Sequence, residues 1–466
     1  MLELWFRCTL DLPIEWRSTV RHASLVALLL AVAAPRIDAR TWHVNPDGSG
    51  ATPTIQAAID SAASGDTVLL AVGKYTWSSQ QASGHSMIEM KSGVTLRSEN
   101  GPESTVVDAE RQGRVIWCVG TGSVRIEGVT IQNGDLGGSS GAGILANENI
   151  QLEVAKCVIR NNRTHESGAG IACVSGKIRD CEILENVSER GGSGAGIFGV
   201  DLEVSGCTFR NNSSFGDPGP SGGALRTITG LISDCLFVGN SVHGVFRARG
   251  GAVRIVESGT IKKCVFLSNE ARIVIPFADR QAYGGAVAIE GCLISNSVFA
   301  DNVAVGGGVP GAGGAIASTG LDTVIVSNCT LVRNRSEVNG TNSDPLLRRI
   351  GGVTIFAGLV RTTIIAWSTG AAVNSVLQTQ CNNFWGNALG DSLRGAELGG
   401  NFSLDPLFCS VDSAGGYQPG LAANSPCAPG NHPDTESCGL IGTADVDCGP
   451  TAVNKRSWSN IKDLFR

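Results

Sequence analysis

The chain of 466 residues carries 36 Lys and Arg against 42 Asp and Glu, a net charge of −6, which excludes a broad basic surface for nucleic acid. Glycine is very frequent at 62 and aromatics make up only 5%, so many turns and a narrow interior are expected. The length exceeds one ordinary compact core, yet no linker-like stretch divides it.

Residues 1–39 read as a secretory signal peptide: Arg17, Arg21 and His22, an apolar run from Ala23 to Ala34, then Ile37-Asp-Ala39 as a cleavage site. That run is too short to span a bilayer, which predicts no transmembrane segment in the mature chain and a secreted or cell-surface location. Asp11 and Glu15 are unusual in a leader and point to a true start near Val20. Export makes disulfides permissible among the 15 cysteines.

Residues 40–400 are expected to form the main body. Near its start, Ile55, Ala58, Ile59 and Ala62 share one face of a short helix, with Pro53 at the first helical position after Thr52 and Gly65 ending it. This helix is the natural cap over a first open coil. Irregular early coils follow from Met87 to Asn133, including Gly128-Val-Thr-Ile131-Gln-Asn133.

Two motifs then alternate. Cys-x-(Ile/Leu/Phe)-x-x-Asn begins at Cys157, Cys181, Cys207, Cys235, Cys264 and Cys329, with Ser297 heading one further copy. A Gly/Ala run closing on an aliphatic residue ends at Ile144, Ile171, Ile197, Leu225, Val253, Val287 and Ile316. Such self-similarity, in units too short for helices and with period-two apolar positions, marks a solenoid of stacked β-coils. The aliphatic residue lies 10 to 13 residues before the Cys, and Cys to Asn is always five. Asn to the next aliphatic residue varies from 9 to 18, so the insertions leave every coil at one corner and project from one face. Asn is expected to take left-handed turn geometry and to stack in a hydrogen-bonded ladder. Stacked cysteines are expected to be free, buried thiols filling the interior.

Thr363-Ile-Ile365 and Asn382-Asn-Phe384-Trp-Gly-Asn387 continue the pattern in weaker form. Residues 401–450 form a segment rich in Gly, Pro, Asn and Asp, in which Cys409, Cys427, Cys438 and Cys448 predict two staples of open connectivity. In the tail, 451–466, Trp458, Ile461, Leu464 and Phe465 fall on one side of a short helix, either an end cap or a sorting or attachment tail.

The pairing of Gly-Gly-Ala-Ile with Phe-x-x-Asn resembles the repeats of chlamydial polymorphic outer-membrane proteins and, more broadly, right-handed parallel β-helix proteins of the pectin-lyase-like superfamily. Asp47-Gly-Ser-Gly50 with Thr54-Ile-Gln-Ala-Ala-Ile-Asp60 resembles the start of pectinesterases. The resemblance implies an all-β, single-stranded right-handed parallel β-helix of about ten to twelve coils, roughly 50 to 60 Å long. It carries no catalytic residue across. The Gln-Asp-Thr-Leu motif of pectinesterases, the Asn-Thr-Asp, Asp-Asp and Gly-His-Gly sets of polygalacturonases, the Arg-x-Pro-x-x-Arg stretch of pectate lyases and the Asp-Pro-His-Asp motif of mannuronan epimerases are all missing.

From the residues themselves, no acidic pair recurs at matched register for glycoside hydrolysis, and no His-x-x-x-His or Cys-x-x-Cys spacing points to a metal or other cofactor. His165-Glu166 and His243 lie at the insertion corner, as solvated residues or as an acid or base. Trp367 and Trp385 suit burial under the C-terminal segment, or stacking on sugar rings. The insertions hold Arg247, Arg249, Arg272, Arg280, Arg348 and Arg349, whose forks suit carboxylate or sulfate groups. Asp217, Glu270, Asp279, Glu337 and Asp344 dilute that charge toward an ordinary solvated edge. Two functions follow: a non-catalytic surface protein binding an anionic polysaccharide or a partner protein through one face, or a polysaccharide lyase, hydrolase or epimerase with a diverged site.

Overall fold

In the computed structural model the described residues are 39–276, 280–339, 349–374, 377–391, 396–411, 419–434, 438–443 and 445–448. The leader, Arg348 and the tail lie outside them. The unit from Thr41 onward is a right-handed parallel β-helix in which a complete coil contributes up to four short strands. In one coil these are Ile197–Phe198, Asp201–Ser205, Thr208–Arg210 and Ser213–Gly216, here called rows I to IV. Rows I and II share a 23-stranded sheet, row III is twelve-stranded and row IV eight-stranded. The insertions of the sequence join row IV to row I.

Three columns hold the coils together. Facing inward from row III, Phe209, Phe237, Phe266 and Phe299 stack with centroids 4.7 Å apart and rings nearly parallel. Ile131, Ile159 and Ile183 extend this fully buried column toward the N-terminus, and Leu331, Ile365 and Phe384 toward the C-terminus. The asparagines form the second column. Nδ2 of Asn240 donates to Oδ1 of Asn269 and to the carbonyl of Phe209, both at 3.0 Å. The same pattern runs from Asn162 to Asn334.

The left-handed residue is the one before the ladder asparagine, as at Asn161, Glu185, Asn211, Ser268 and Asp301. A second sits before each column cysteine, as at Lys156, Asp180, Asp234 and Lys263. A single left-handed residue between two strands makes a sharp bend that leaves the next side chain pointing inward, where Asn finds its ladder partners. In the early coil, Asn133 takes the bend position and Gly134 donates its N–H to Asn162.

The column cysteines are free and buried, and they are more than apolar filler. Each thiol donates to the carbonyl two residues back, as Cys235 does to Ser233 at 3.0 Å, and Cys181 Sγ also accepts the N–H of Cys157 one coil away at 3.4 Å. Ser297 and Thr363 keep both bonds with an oxygen, which explains why the motif tolerates them.

The capping helix spans Ile55–Ser61 and buries Ile55, Ala58 and Ile59. Its N-cap is Thr54, whose hydroxyl accepts the N–H of Ala57, so the helix starts two residues later than the Pro53 placement predicts. At the other end, Ile364 and Ala366 pack against Leu421, Cys427 and Ile441. The expected pair of staples within 401–450 is corrected. Cys438 bonds Cys381 of the last coils, and Cys427 is a buried free thiol that receives a hydrogen bond from Asn383. Trp367 and Trp385 are half-buried against this segment, with Trp367 tilted on Phe408 at 6.0 Å. No described helix is long and apolar enough to cross a membrane.

Candidate functional site: arginines beside the insertion corner

The outward column of row I is built by register. Trp117, Leu145, Ala172, Phe198, Arg226, Arg254, Ala288 and Ala317 stand one above the next. Arginine replaces apolar residues at two successive levels only. The guanidinium of Arg226 lies 5.0 Å over the ring of Phe198. Arg254 is 3% exposed, with Nη2 2.5 Å from Oε1 of Glu290 and Nη1 on the hydroxyl of Thr319.

A second short ladder runs beside it at the corner. Ser221, Arg249, Tyr283 and Ala312 pair in parallel, each immediately before the left-handed glycine that opens the next row I strand. Those glycines have φ near +60°, and a Cβ on Gly222 would lie 2.2 Å from the carbonyl of Leu225. Close approach therefore brings the corner ladder against row I. Arg249 is half-buried, and its Nε has no hydrogen-bond partner among the described residues. Burial lowers its pKa, as does the charge of Arg247, against the opposing influence of Tyr283 and Glu290. Burial also lowers Arg254, which the Glu290 hydrogen bond offsets and which Arg249 and Arg226 push further down. Arg254 is thus bonded to Glu290, Arg249 also feels that carboxylate, and the charges of Arg226 and Arg247 act on Arg254 and Arg249 in turn. Such a site favours an incoming anion that supplies the acceptor Arg249 Nε lacks.

The sequence-selected arginines are divided by the structure. Arg247 and Arg249 join this cluster. Arg272 faces outward on row IV and is held by Glu270, which also lies 3.4 Å from Nε2 of His243. Burial would raise Glu270, but hydrogen bonds from His243 and Arg272 bring it down to about 2. Arg280 lies 4.8 Å over Phe246, and Arg349 is half-buried at a later coil. His165 sits 3.4 Å from Glu189, which also binds Arg163, while Glu166 is exposed. Among the described residues no group of three His, Cys, Asp or Glu is placed to share a metal ion.

Insertion composition does not single out Arg226 and Arg254, because they lie in the rigid part of the coil. The signal was nevertheless present: each follows the aliphatic residue of its Gly-Gly-Ala motif, where the other copies carry Leu145, Ala172, Phe198, Ala288 and Ala317.

No family model matches the chain, and no curated protein does. Among solved structures, the chain is similar to pectate lyase Pel9A, at 13% identity and TM-score 0.41, covering 88% of this chain and 96% of that one. It is also similar to the A-module of the mannuronan C-5 epimerase AlgE6 of Azotobacter vinelandii, at 13% identity and TM-score 0.27, covering 76% and 94%. At these values no residue role passes from either protein to this chain.

Proposed function

We propose that this is a secreted or cell-surface β-helix protein that binds an anionic polysaccharide, or the acidic surface of a partner protein, through the wall formed by row I and the insertion corner, without transforming it. The observation that carries this reading is the run of mutually coupled cations Arg226, Arg254, Arg249 and Arg247, of which Arg254 is bonded to Glu290, with Arg249 Nε buried and without a hydrogen-bond partner among the described residues. Arg272, Arg280 and Arg349 stand on the same side of the insertion scheme as peripheral contacts. Arginine forks recognise carboxylate and sulfate groups in pairs of parallel hydrogen bonds, and partial burial strengthens each.

Titration calorimetry against uronic-acid and sulfated oligosaccharides tests it. Binding that falls at least tenfold in Arg226→Ala and Arg249→Ala, and weakens with salt, is the expected result. Binding that is absent throughout, or indifferent to both changes, overturns it. New absorbance from unsaturated uronides during the same incubation replaces the non-catalytic reading with a lyase.

A further inference from the structure

Row II carries a second surface, which begins on the coils that carry Arg226 and Arg254 but lies five or six residues further along each of those strands. The central outward column of this row reads Arg125, Glu153, Lys177, Glu203, Leu231, Thr260, Leu293, Ile325, Leu359 and Gln378. Its first four members alternate in sign and are paired, Arg125 with Glu153 at 2.8 Å and Lys177 with Glu203 at 3.3 Å. The next five hold no charge. Leu231 and Leu293 are 37% and 39% exposed, and Thr260, Ile325 and Leu359 are half-exposed. The flanking column is small and polar, with Ser233, Ser295 and Ser327 broken only by Lys262 and Arg361. The result is a flat apolar stripe on a fixed repeat of about 4.8 Å, with nothing among the described residues laid over it.

We propose that this stripe is where a second copy of the chain docks, face to face and antiparallel, about a two-fold axis through Leu293. The repeat of a parallel β-helix is matched best by another surface with the same repeat, and an isologous contact supplies one. Charge selects the direction. With the two helix axes parallel, Arg125 would face Arg125 and Lys177 would face Lys177, which is repulsive at every charged level. With the axes antiparallel, Leu231 faces Leu359, Thr260 faces Ile325, and Glu203 faces the neutral Gln378. The flanking cations also find neutral partners, Lys262 opposite Ser327 and Arg361 opposite Ser233.

The footprint bounds the strength. Five coils by one five-residue strand give roughly 400 Å² per copy, about 800 Å² in total, below the ~1,200 Å² of stable complexes. The dimer is accordingly a weak, reversible one, and on the function proposed above it gathers two arginine-bearing walls into one bivalent particle.

Sedimentation velocity over a concentration series tests the proposal on the full chain. A monomer–dimer equilibrium is expected, and Leu293→Glu, which sets like charges against each other on the axis, weakens it at least tenfold while leaving the circular-dichroism melt unchanged. A short bismaleimide gives the orientation: Leu293→Cys cross-links to itself, whereas Leu231→Cys, which faces Leu359, does not. A monomer at all accessible concentrations, association indifferent to Leu293→Glu, or equal cross-linking of the two cysteine variants overturns the proposal. Association that appears only after truncation following Cys448 also overturns it, by making residues 449–466 the natural occupant.

Discussion

Nδ2 of Asn212 donates to Oδ1 of Asn240 one coil away, at 3.0 Å, and neither residue has any exposure to water. Asn240 thereby completes four hydrogen bonds, two accepted by its oxygen and two donated by its nitrogen. Asn240→Leu removes them all and strands the N–H of Asn212 and the carbonyl of Phe209. Each stranded buried group costs about 1 to 3 kcal/mol, so a loss of roughly 3 kcal/mol or more is expected in urea denaturation. A loss below 1 kcal/mol would mean that the column is decoration on a stack held by its apolar interior.

The thiols set the alkaline limit of stability. Burial pushes Cys173 and Cys329 up to about 12, and Cys157 and Cys235 well above their ordinary value. A thiol whose pKa is raised by folding stays protonated in the native state after the unfolded chain has begun to ionise near 8.5. Stability therefore holds below pH 8.5 and falls above it, by about 1.4 kcal/mol per pH unit for each such thiol. Denaturation midpoints under reducing conditions from pH 7.5 to 10 check this. Cys329→Ser, with a hydroxyl that does not ionise there, should flatten the slope by one thiol's share.

At the acid end the sign reverses. Burial would raise Asp108, but hydrogen bonds from Lys74, the Glu110 N–H, Asn133 and Gln132 bring it to about 2. Its contribution is present above the unfolded value near 3.9 and is lost as pH falls through 2. Glu270 behaves alike on row IV. Thermal melts between pH 5 and pH 2 should lose part of their acid dependence in Asp108→Asn; an unchanged profile would show that other carboxylates govern it.

The Cys381–Cys438 bond closes a loop of 57 residues, for which chain entropy predicts about 4 kcal/mol. Its loss should loosen the C-terminal segment first, since that segment packs through a small separate cluster. Cys438→Ser should expose 401–448 to limited proteolysis while hydrogen exchange in the coils from Cys157 to Asn334 stays slow. Protection lost equally in both regions would show that the last coils support the whole stack.

Much of this was legible because stacking repeats each residue's environment. Copies of Cys-x-Phe-x-x-Asn state a coil's dimensions many times over, and the free thiols and single-corner insertions followed from spacing. The disulfide was not legible, because Cys381 sits in a weak late coil where Asn382 takes the column place and nothing in the spacing ties it to Cys438. The left-handed bends were misassigned by one residue, since a polar inward side chain and the bend that aims it are neighbours in sequence. The arginine cluster was half visible. Arg247 and Arg249 announce themselves in an insertion, whereas Arg226 and Arg254 matter only through the register that lifts them out of an apolar column.

The asparagine column has one more consequence, for biosynthesis. Asn162-Arg-Thr164, Asn186-Val-Ser188, Asn212-Ser-Ser214 and Asn334-Arg-Ser336 each spell the acceptor signal for N-linked glycan attachment, with both ends of the signal fully buried once folded. A sugar tree added to the nascent chain at any of these would wedge two coils apart. Expression without oligosaccharyltransferase should therefore leave the stack intact, whereas secretion from a yeast or mammalian host should yield hyperglycosylated, aggregated product that tunicamycin rescues.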